Sequence, residues 1–235
     1  MKDFLLQSAK KCGIELSAEM LGKFQVFYEE LIETNKTLNL TAITEEKDVV
    51  LKHFIDSMAI SKFYGLSGTS VIDVGTGAGF PGLPLAILYP ETKFVLLDSL
   101  KKRLHFIEGV LEKCGIDNVE LIHGRAEDFG REERYREGFD FCVSRAVAAL
   151  PVLLELCTPF VKVGGLFLSY KSERLGEELR AAERAMRVLN CRVAAEYEYE
   201  LPDTDFFRVY AAFEKEKNTP GKYPRQAGKP KKNPL

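Results

Sequence analysis

VIDVGTGAGFPGLPLAI, residues 71–87, sets four glycines and two prolines in an otherwise apolar run. Residues 71–74 read as a short buried strand, and residues 81–87 as a helix with proline in its first turn. Glycine in the turn between them costs backbone entropy and brings no packing, so the backbone there must approach something closely. Two kinds of ligand account for this. Gly77, Gly79 and Gly82 satisfy the G-x-G-x-x-G spacing of dinucleotide sites, in which a helix N-terminus faces a pyrophosphate. The same turn suits a nucleoside ligand without phosphate, such as S-adenosylmethionine. Asp73 lies inside the strand, two residues before Gly75, where dinucleotide folds prefer an apolar residue.

Outward from this turn, strands and helices alternate. Strands are predicted at 93–97, 119–122, 139–143 and 165–170, with helices at 81–89, 100–114, 147–157 and 173–189, which implies a parallel sheet covered on both faces. Two strands then follow each other, 191–200 and 206–213, joined by Leu201-Pro202-Asp203-Thr204-Asp205. So short a link predicts that one of them runs antiparallel. Upstream, residues 1–65 read as helical. Ser17 is a good N-cap, Leu21, Phe24, Phe27, Tyr28, Leu31 and Ile32 recur at helical spacing, and a second helix is expected over 46–63.

Seven strands closing in an antiparallel pair is the layout of the class I S-adenosylmethionine-dependent methyltransferases, which the sequence resembles. The expected fold is therefore α/β, a Rossmann-like seven-stranded sheet with an N-terminal helical extension. The chain divides into the extension (1–65), the methyltransferase domain (66–216) and a basic, proline-rich tail (217–235). In that resemblance Asp73 lies near the sulfonium and amino group of the cofactor. A dinucleotide dehydrogenase would more often continue with a second βαβ half and a substrate domain.

Open α/β sheets bind ligands at the carboxyl ends of their strands. After the second strand, Asp98 is placed to accept hydrogen bonds from ribose hydroxyls; its other reading is a helix cap, shared with Ser99. After the third, the Ala126 amide and the Glu127 carboxylate are candidates for an adenine edge, or members of a capped surface turn. After the fourth comes Val143-Ser144-Arg145-Ala146. This end lacks the Asn/Asp-Pro-Pro-aromatic stretch of exocyclic-amine methylation, and Cys142 lies within the strand rather than beyond it as a nucleophile. An arginine here fits a target that needs neither base nor covalent step. Guanine N7 is such a target, since alignment alone supplies roughly 7–11 kcal/mol. Arg145 itself suits a cofactor carboxylate or a phosphate.

The net charge of −2 hides a segregation. Residues 217–235 hold six Lys or Arg and no acid, which leaves the first 216 residues at −8. With four prolines and no apolar periodicity, the tail is expected to be extended; if it engages RNA, cutting after Glu216 should leave folding and cofactor binding unchanged but weaken RNA binding. Tyr223 is read as stacking on a base while Lys222 and Arg225 meet phosphates, against the alternative of a solubilising tail. Five scattered cysteines and three isolated histidines predict reduced thiols and no metal site. No apolar run is long enough for a bilayer, and the N-terminus is too charged for a secretory signal, so the expectation is a cytoplasmic protein with no obligate protein partner.

A more specific resemblance rests on Asn39-Leu40-Thr41-Ala42-Ile43, His53 with Asp56-Ser57, DVGTGAGFPGLPLAI and Lys102-Arg103. Arg125-Ala126-Glu127, Ser144-Arg145-Ala146 and Tyr223-Pro224-Arg225, with the terminal Gly-Lys-Pro and Pro-Leu, complete it. From about residue 35 to the C-terminus the chain resembles the bacterial small-subunit ribosomal RNA guanine-N7 methyltransferases, the glucose-inhibited division protein B family. The resemblance implies S-adenosylmethionine as cofactor, contacts to it at Gly75, Phe80, Ala126, Glu127 and Arg145, and a guanine in the 530 loop of 16S rRNA as target. The partner is then 16S rRNA, the small ribosomal subunit or its precursor. One departure is Ser172 after Lys171, where glycine is expected.

RNA contacts are expected at His53, Arg103, Lys171, Tyr223 and Arg225. Lys101, Lys102 and Arg103 stand in a first helical turn, where a cation is disfavoured by about 0.3–1 kcal/mol. A phosphate bridging Arg103 and the helix end turns that penalty into binding; the other reading is a solvated helix face. His53 is either an RNA contact or a satisfied histidine against the sheet edge. Three other functions stay open: the same fold acting on a small molecule or protein, a cofactor-binding ribosome-assembly module without turnover, and an NAD-dependent oxidoreductase.

Overall fold

The computed structural model describes residues 1–145, 147–171 and 175–235, so Ala146 and the departure at Ser172 lie outside the described residues. Helix α1 (Lys2–Lys11) buries Leu5 and Ala9. Helix α2 (Ala18–Leu38) starts where the Ser17 hydroxyl accepts the Met20 amide at 3.1 Å, and its Phe24, Phe27 and Leu31 are buried at the expected spacing. The helix expected over 46–63 is present but not uniform. It opens as α3 (Glu46–Val49), widens into a π-helix over Val50–Ile55, returns to α geometry in α4 (Asp56–Met58) and ends in a 3₁₀ turn, Ala59–Lys62. Such π segments gather at functional sites.

The alternating part follows as β1 (Ser70–Val74), α5 (Gly82–Leu88), β2 (Lys93–Asp98), α6 (Lys101–Cys114), β3 (Val119–His123) and α7 (Ala126–Phe129). It continues with β4 (Phe139–Arg145), α8 (Leu150–Cys157), β5 (Val161–Lys171), α9 (Leu175–Leu189), β6 (Cys191–Glu200) and β7 (Phe207–Lys215). One sheet holds all seven strands in the order β3-β2-β1-β4-β5-β7-β6. The antiparallel strand is β7, which pairs with β5 on one side and β6 on the other. β5 begins four residues before its expected start because Val161 already pairs with Phe139, ahead of a register shift on β4.

Alternation along the strands divides the apolar core in two. Val71, Phe94 and Leu96 pack with α1, α2, the π segment, α5 and α6, so the helices of residues 1–65 share a core with one face of the sheet. Ile72, Val74, Val95 and Leu97 pack on the other face with α8 and α9.

The tail departs from expectation. It is folded against the body, ends in a short helix, α10 (Lys229–Lys232), and buries Tyr223 and Pro230. Arg136 donates to the carbonyl oxygens of Thr219 (2.6 Å) and Tyr223 (2.9 Å), and Arg131 to that of Lys222 (3.2 Å). Proline-rich backbone lacks donors but keeps its carbonyls, and guanidinium forks of the body satisfy these.

Candidate active site

The carboxyl ends of β1, β2, β4 and β5 and the N-terminal helices enclose a cavity of about 820 Å³. Its floor is the glycine turn. Gly75 has φ +77°, and a Cβ there would lie 2.6 Å from Val147 Cγ2, so only glycine lets the chain turn under the cavity. The Gly77 amide donates to Asp98 Oδ2 at 2.9 Å.

Asp98, at the end of β2, accepts three bonds. Gly77 N–H and Arg103 (3.4 Å) reach Oδ2, and the Leu100 amide reaches Oδ1 at 2.8 Å. It therefore braces the turn ahead of α6, whose N-cap residue Leu100 offers no side-chain cap, and joins that turn to the glycine loop. A carboxylate offers about four lone-pair positions, so one on Oδ1 is left for a ligand.

The opposite wall is a polar cluster built on Arg145. Its guanidinium donates to Asp56 Oδ2 at 2.7 Å, to the Lys52 carbonyl at 3.1 Å and to His53 Nδ1 at 3.3 Å, and stacks 5.2 Å from the Phe80 ring centre. A guanidinium cannot accept, so Nδ1 of His53 is the bare nitrogen and Nε2 carries the proton, which it donates to Thr41 Oγ1 at 2.8 Å. Burial, with the Arg145 charge, pushes the His53 pKa down to about 3. His53 is thus neutral, stacked 4.4 Å above Phe80, and satisfied at both nitrogens while lining the cavity. Thr41 is held in turn by a reciprocal pair with the Asn35 amide, both bonds 2.9 Å. The fully buried Asp56 also accepts Arg208 Nε at 3.0 Å and the Tyr210 hydroxyl.

Lys171 lines the cavity as an ion pair with Glu178 (2.7 Å), whose same oxygen accepts the Leu150 amide. With Lys52, Arg103, Arg145 and Arg208, five cations face three carboxylates, Asp56, Asp98 and Glu178. Among the described residues no His, Cys, Asp and Glu grouping could hold a metal, and no helix is long and apolar enough to cross a membrane.

Several expected site residues stand elsewhere. Asp73 is fully buried and does not line the cavity. Its Oδ2 accepts the Gly82 amide at 2.8 Å, tethering the start of α5 to β1. A Cβ on Gly82 would come within 2.8 Å of that oxygen and 2.2 Å of Leu96 Cδ2, which explains the third glycine of the motif without a ligand. Burial raises the Asp73 pKa to about 7, with the Gly82 amide and the Arg145 charge pulling it back. Ala126 and Glu127 are buried in α7 outside the cavity lining, and Glu127 Oε1 accepts the Gly228 amide of the tail at 3.0 Å. Tyr223 is buried, so its ring offers no stacking face. Arg225 forks onto the buried Glu155, Nε to Oε1 at 2.8 Å and a terminal nitrogen to Oε2 at 2.6 Å.

Sequence reading missed Arg208 and treated Thr41 and Asp56 only as parts of a motif. Arg208 lies 152 residues from Asp56, so no local pattern announces the pair. Asp56 carried a usable signal in its place beside His53 within a helical run.

Comparison with known proteins agrees with this architecture. A family model for rRNA small subunit methyltransferase G matches residues 20–200. The chain is 45% identical to Ribosomal RNA small subunit methyltransferase G of Lachnoclostridium phytofermentans, covering 98% of this chain and 96% of that one. With the protein of the same name from Alkaliphilus oremlandii it shares 47% identity over 100% and 99%. Among solved structures, a SAM dependent methyltransferase from Aquifex aeolicus superposes with a TM-score of 0.54 at 18% identity, over 77% of this chain and 97% of that one. A ribosomal protein L11 methylase from Lactobacillus delbrueckii subsp. bulgaricus gives 0.54 at 16%, over 71% and 79%. These two likenesses carry the fold, an α/β class I methyltransferase sheet; the full-length relatives carry more, and they displace the oxidoreductase alternative. On its sheet order, its glycine-floored cavity and these relatives, the chain belongs to the rRNA small subunit methyltransferase G family.

Proposed function

We propose that this protein transfers the methyl group of S-adenosylmethionine to N7 of a guanine in the 530 loop of 16S rRNA. One observation carries the choice of atom: every carboxylate and the histidine in the described cavity lining already hold donors. Asp56 holds two arginines and a tyrosine, Asp98 two amides and an arginine, and Glu178 a lysine and an amide. His53 is neutral, with both nitrogens engaged. Such a wall has no idle base. An exocyclic amine must shed a proton on methylation, and a pyrimidine carbon needs a nucleophile. Cys142 is fully buried, and burial pushes its thiol pKa well above the ordinary value, so it is no candidate. Guanine N7 presents a free lone pair at neutral pH and needs only alignment.

The residues present fit the cofactor. The remaining Oδ1 lone pair of Asp98 suits a ribose hydroxyl, Gly75 and Gly77 bring backbone close, and Phe80 supplies an apolar wall. Arg145 keeps donors on Nε and one terminal nitrogen for a carboxylate or phosphate. Bound there, S-adenosylmethionine supplies an electrophilic methyl group. Ala126 and Glu127, in α7 just beyond β3, remain our candidates for the adenine edge, a backbone amide and an acid as the sequence pattern offers them. The excess of cations over carboxylates favours a polyanionic substrate. Incubation with radiolabelled S-adenosylmethionine and 16S rRNA, followed by nucleoside analysis, tests the proposal. Label in 7-methylguanosine is expected; label in any other nucleoside overturns the choice of atom, and cofactor binding without label overturns the enzyme.

A further inference from the structure

The segregation of charge noted in the sequence takes on a location once the tail is folded. Residues 217–235 form a strap laid across α7 and α8. Arg225 fixes it to Glu155, Arg131 and Arg136 hold its carbonyls, and the Gly228 amide binds Glu127. The strap ends in α10, one turn that contains Lys229, Lys231 and Lys232, all exposed around the buried Pro230. No ion pair joins any of the three to a described carboxylate. A body of net charge −8 offers many acids, yet this turn gathers like charges and leaves them unpaired. Like charges one turn apart destabilise a helix unless an anion joins them.

The position matters as much as the charge. Two hydrogen bonds connect this turn to the cavity wall. Gly228, next to Lys229, binds Glu127 of α7, and Gly124, just before the exposed Arg125 that leads into α7, donates to the Asp98 carbonyl at 3.0 Å. Asp98 lines the cavity and is followed by the exposed Lys101 and Lys102 and the partly exposed Arg103. The segments 99–103, 123–129 and 226–235 hold seven cations and two acids, and one of those acids, Glu127, is buried. A cationic track therefore runs from the mouth of the cavity over the start of α6 and the β3–α7 turn to the strap.

We infer that this track binds the phosphodiester backbone of the RNA flanking the methylated nucleotide, with Lys229, Lys231 and Lys232 as its distal anchor. The inference rests on the reading of the cavity as an RNA methyltransferase site. It reassigns the role of the tail: the strap's arginine and tyrosine are structural, and its lysines meet the RNA. Because the strap is ordered by its own hydrogen bonds, the ordering cost falls on folding and not on RNA binding. Phosphate contacts carry no sequence information, so the track adds affinity and register while the cavity selects the base.

The test uses the full chain and the variant K229Q/K231Q/K232Q, with K229E/K231E/K232E as a second. RNA affinity is measured across a salt series for a 530-loop oligonucleotide and an unrelated single strand, beside S-adenosylhomocysteine affinity and thermal midpoint. The glutamine variant should keep its midpoint and its S-adenosylhomocysteine affinity. Its log–log salt slope should be shallower by about 0.7–0.9 for each phosphate no longer neutralised, hence about 2–3 for three, and equally so for both RNAs. The glutamate variant should bind more weakly still. Parallel salt lines of equal affinity overturn the inference, as does a loss confined to the 530-loop RNA or binding to anionic vesicles in place of RNA. A wild-type protein that makes no 7-methylguanosine but shows the slope change would overturn the reaction and leave the track standing.

Discussion

Arg225→Ala is the sharpest probe of the strap. Glu155 is fully buried on α8 and accepts three bonds from Arg225, one from its amide and two from its guanidinium at 2.8 and 2.6 Å. The substitution keeps the amide bond and removes both charge-assisted bonds, which leaves a buried carboxylate without a counter-charge. Removing one partner of a buried pair costs about 3–5 kcal/mol. The Arg225 side chain is 22% exposed, so water relieves part of the loss and the lower end, about 3 kcal/mol, applies. For a chain of this size that corresponds to about 6–12 °C in thermal midpoint. An upper bound comes from the strap itself, because once it peels away nothing more can be lost through it. Arg225→Ala can therefore cost no more than ending the chain at Glu216. That truncation, neutral on sequence reading, is now expected to destabilise, since it also strips the covers from Glu127 and from the core around Tyr223. Urea unfolding followed by far-UV circular dichroism measures both, and Arg225→Met/Glu155→Leu should recover most of the loss, because apolar replacement of a buried pair is often neutral. A loss below about 1 kcal/mol for Arg225→Ala, with the tail still protected from proteolysis, would refute the argument.

His53 and Asp73 give stability a pH dependence of opposite sign. Between the ordinary 6.5 and about 3 the unfolded state holds a proton on His53 that the folded state lacks, so stability falls as pH falls through that window, and His53→Gln should flatten that slope in a pH series of urea melts. Between 3.8 and about 7 the folded state instead holds a proton on Asp73 that the unfolded state has lost, so stability falls as pH rises, and Asp73→Asn should gain relative to wild type above pH 7. Asp98→Ala should weaken S-adenosylhomocysteine binding by roughly 1–3 kcal/mol in calorimetry, and unchanged affinity would make it a cap alone. Gly82→Ala should lower stability by about 1–3 kcal/mol by thermal melting, because its methyl would overlap Leu96 and Asp73; a neutral result would mean the turn can shift as a whole.

Most of the sheet and the mouth of the cavity could be read along the chain, because both are set by local pattern. Val71, Phe94 and Leu96 face one way and Ile72, Val95 and Leu97 the other, which is period-two alternation, and Gly75, Asp98 and Arg145 sit at strand ends that open α/β sheets place together. What could not be read is which charges meet. Arg208 finds Asp56 across 152 residues, and Arg225 finds Glu155 across 70. Formal charge treats every cation of the tail alike, and the structure separates them by chemistry. The guanidinium is a planar fork with weak hydration, so the tail's one arginine, Arg225, is spent on the buried Glu155, while Arg131 and Arg136 of the body hold the tail's carbonyls. The ammonium of lysine is compact and strongly hydrated, and Lys222, Lys229, Lys231 and Lys232 stay at the surface. Tyr223 went astray for a related reason: flanked by cations it reads as a stacking residue, but its neighbour Arg225 turns inward and takes the ring with it. A basic, proline-rich tail is thus compatible with a folded strap when its arginine has a distant acceptor and arginines of the body hold its carbonyls, and the lysines left at the surface are the ones proposed to meet RNA phosphates.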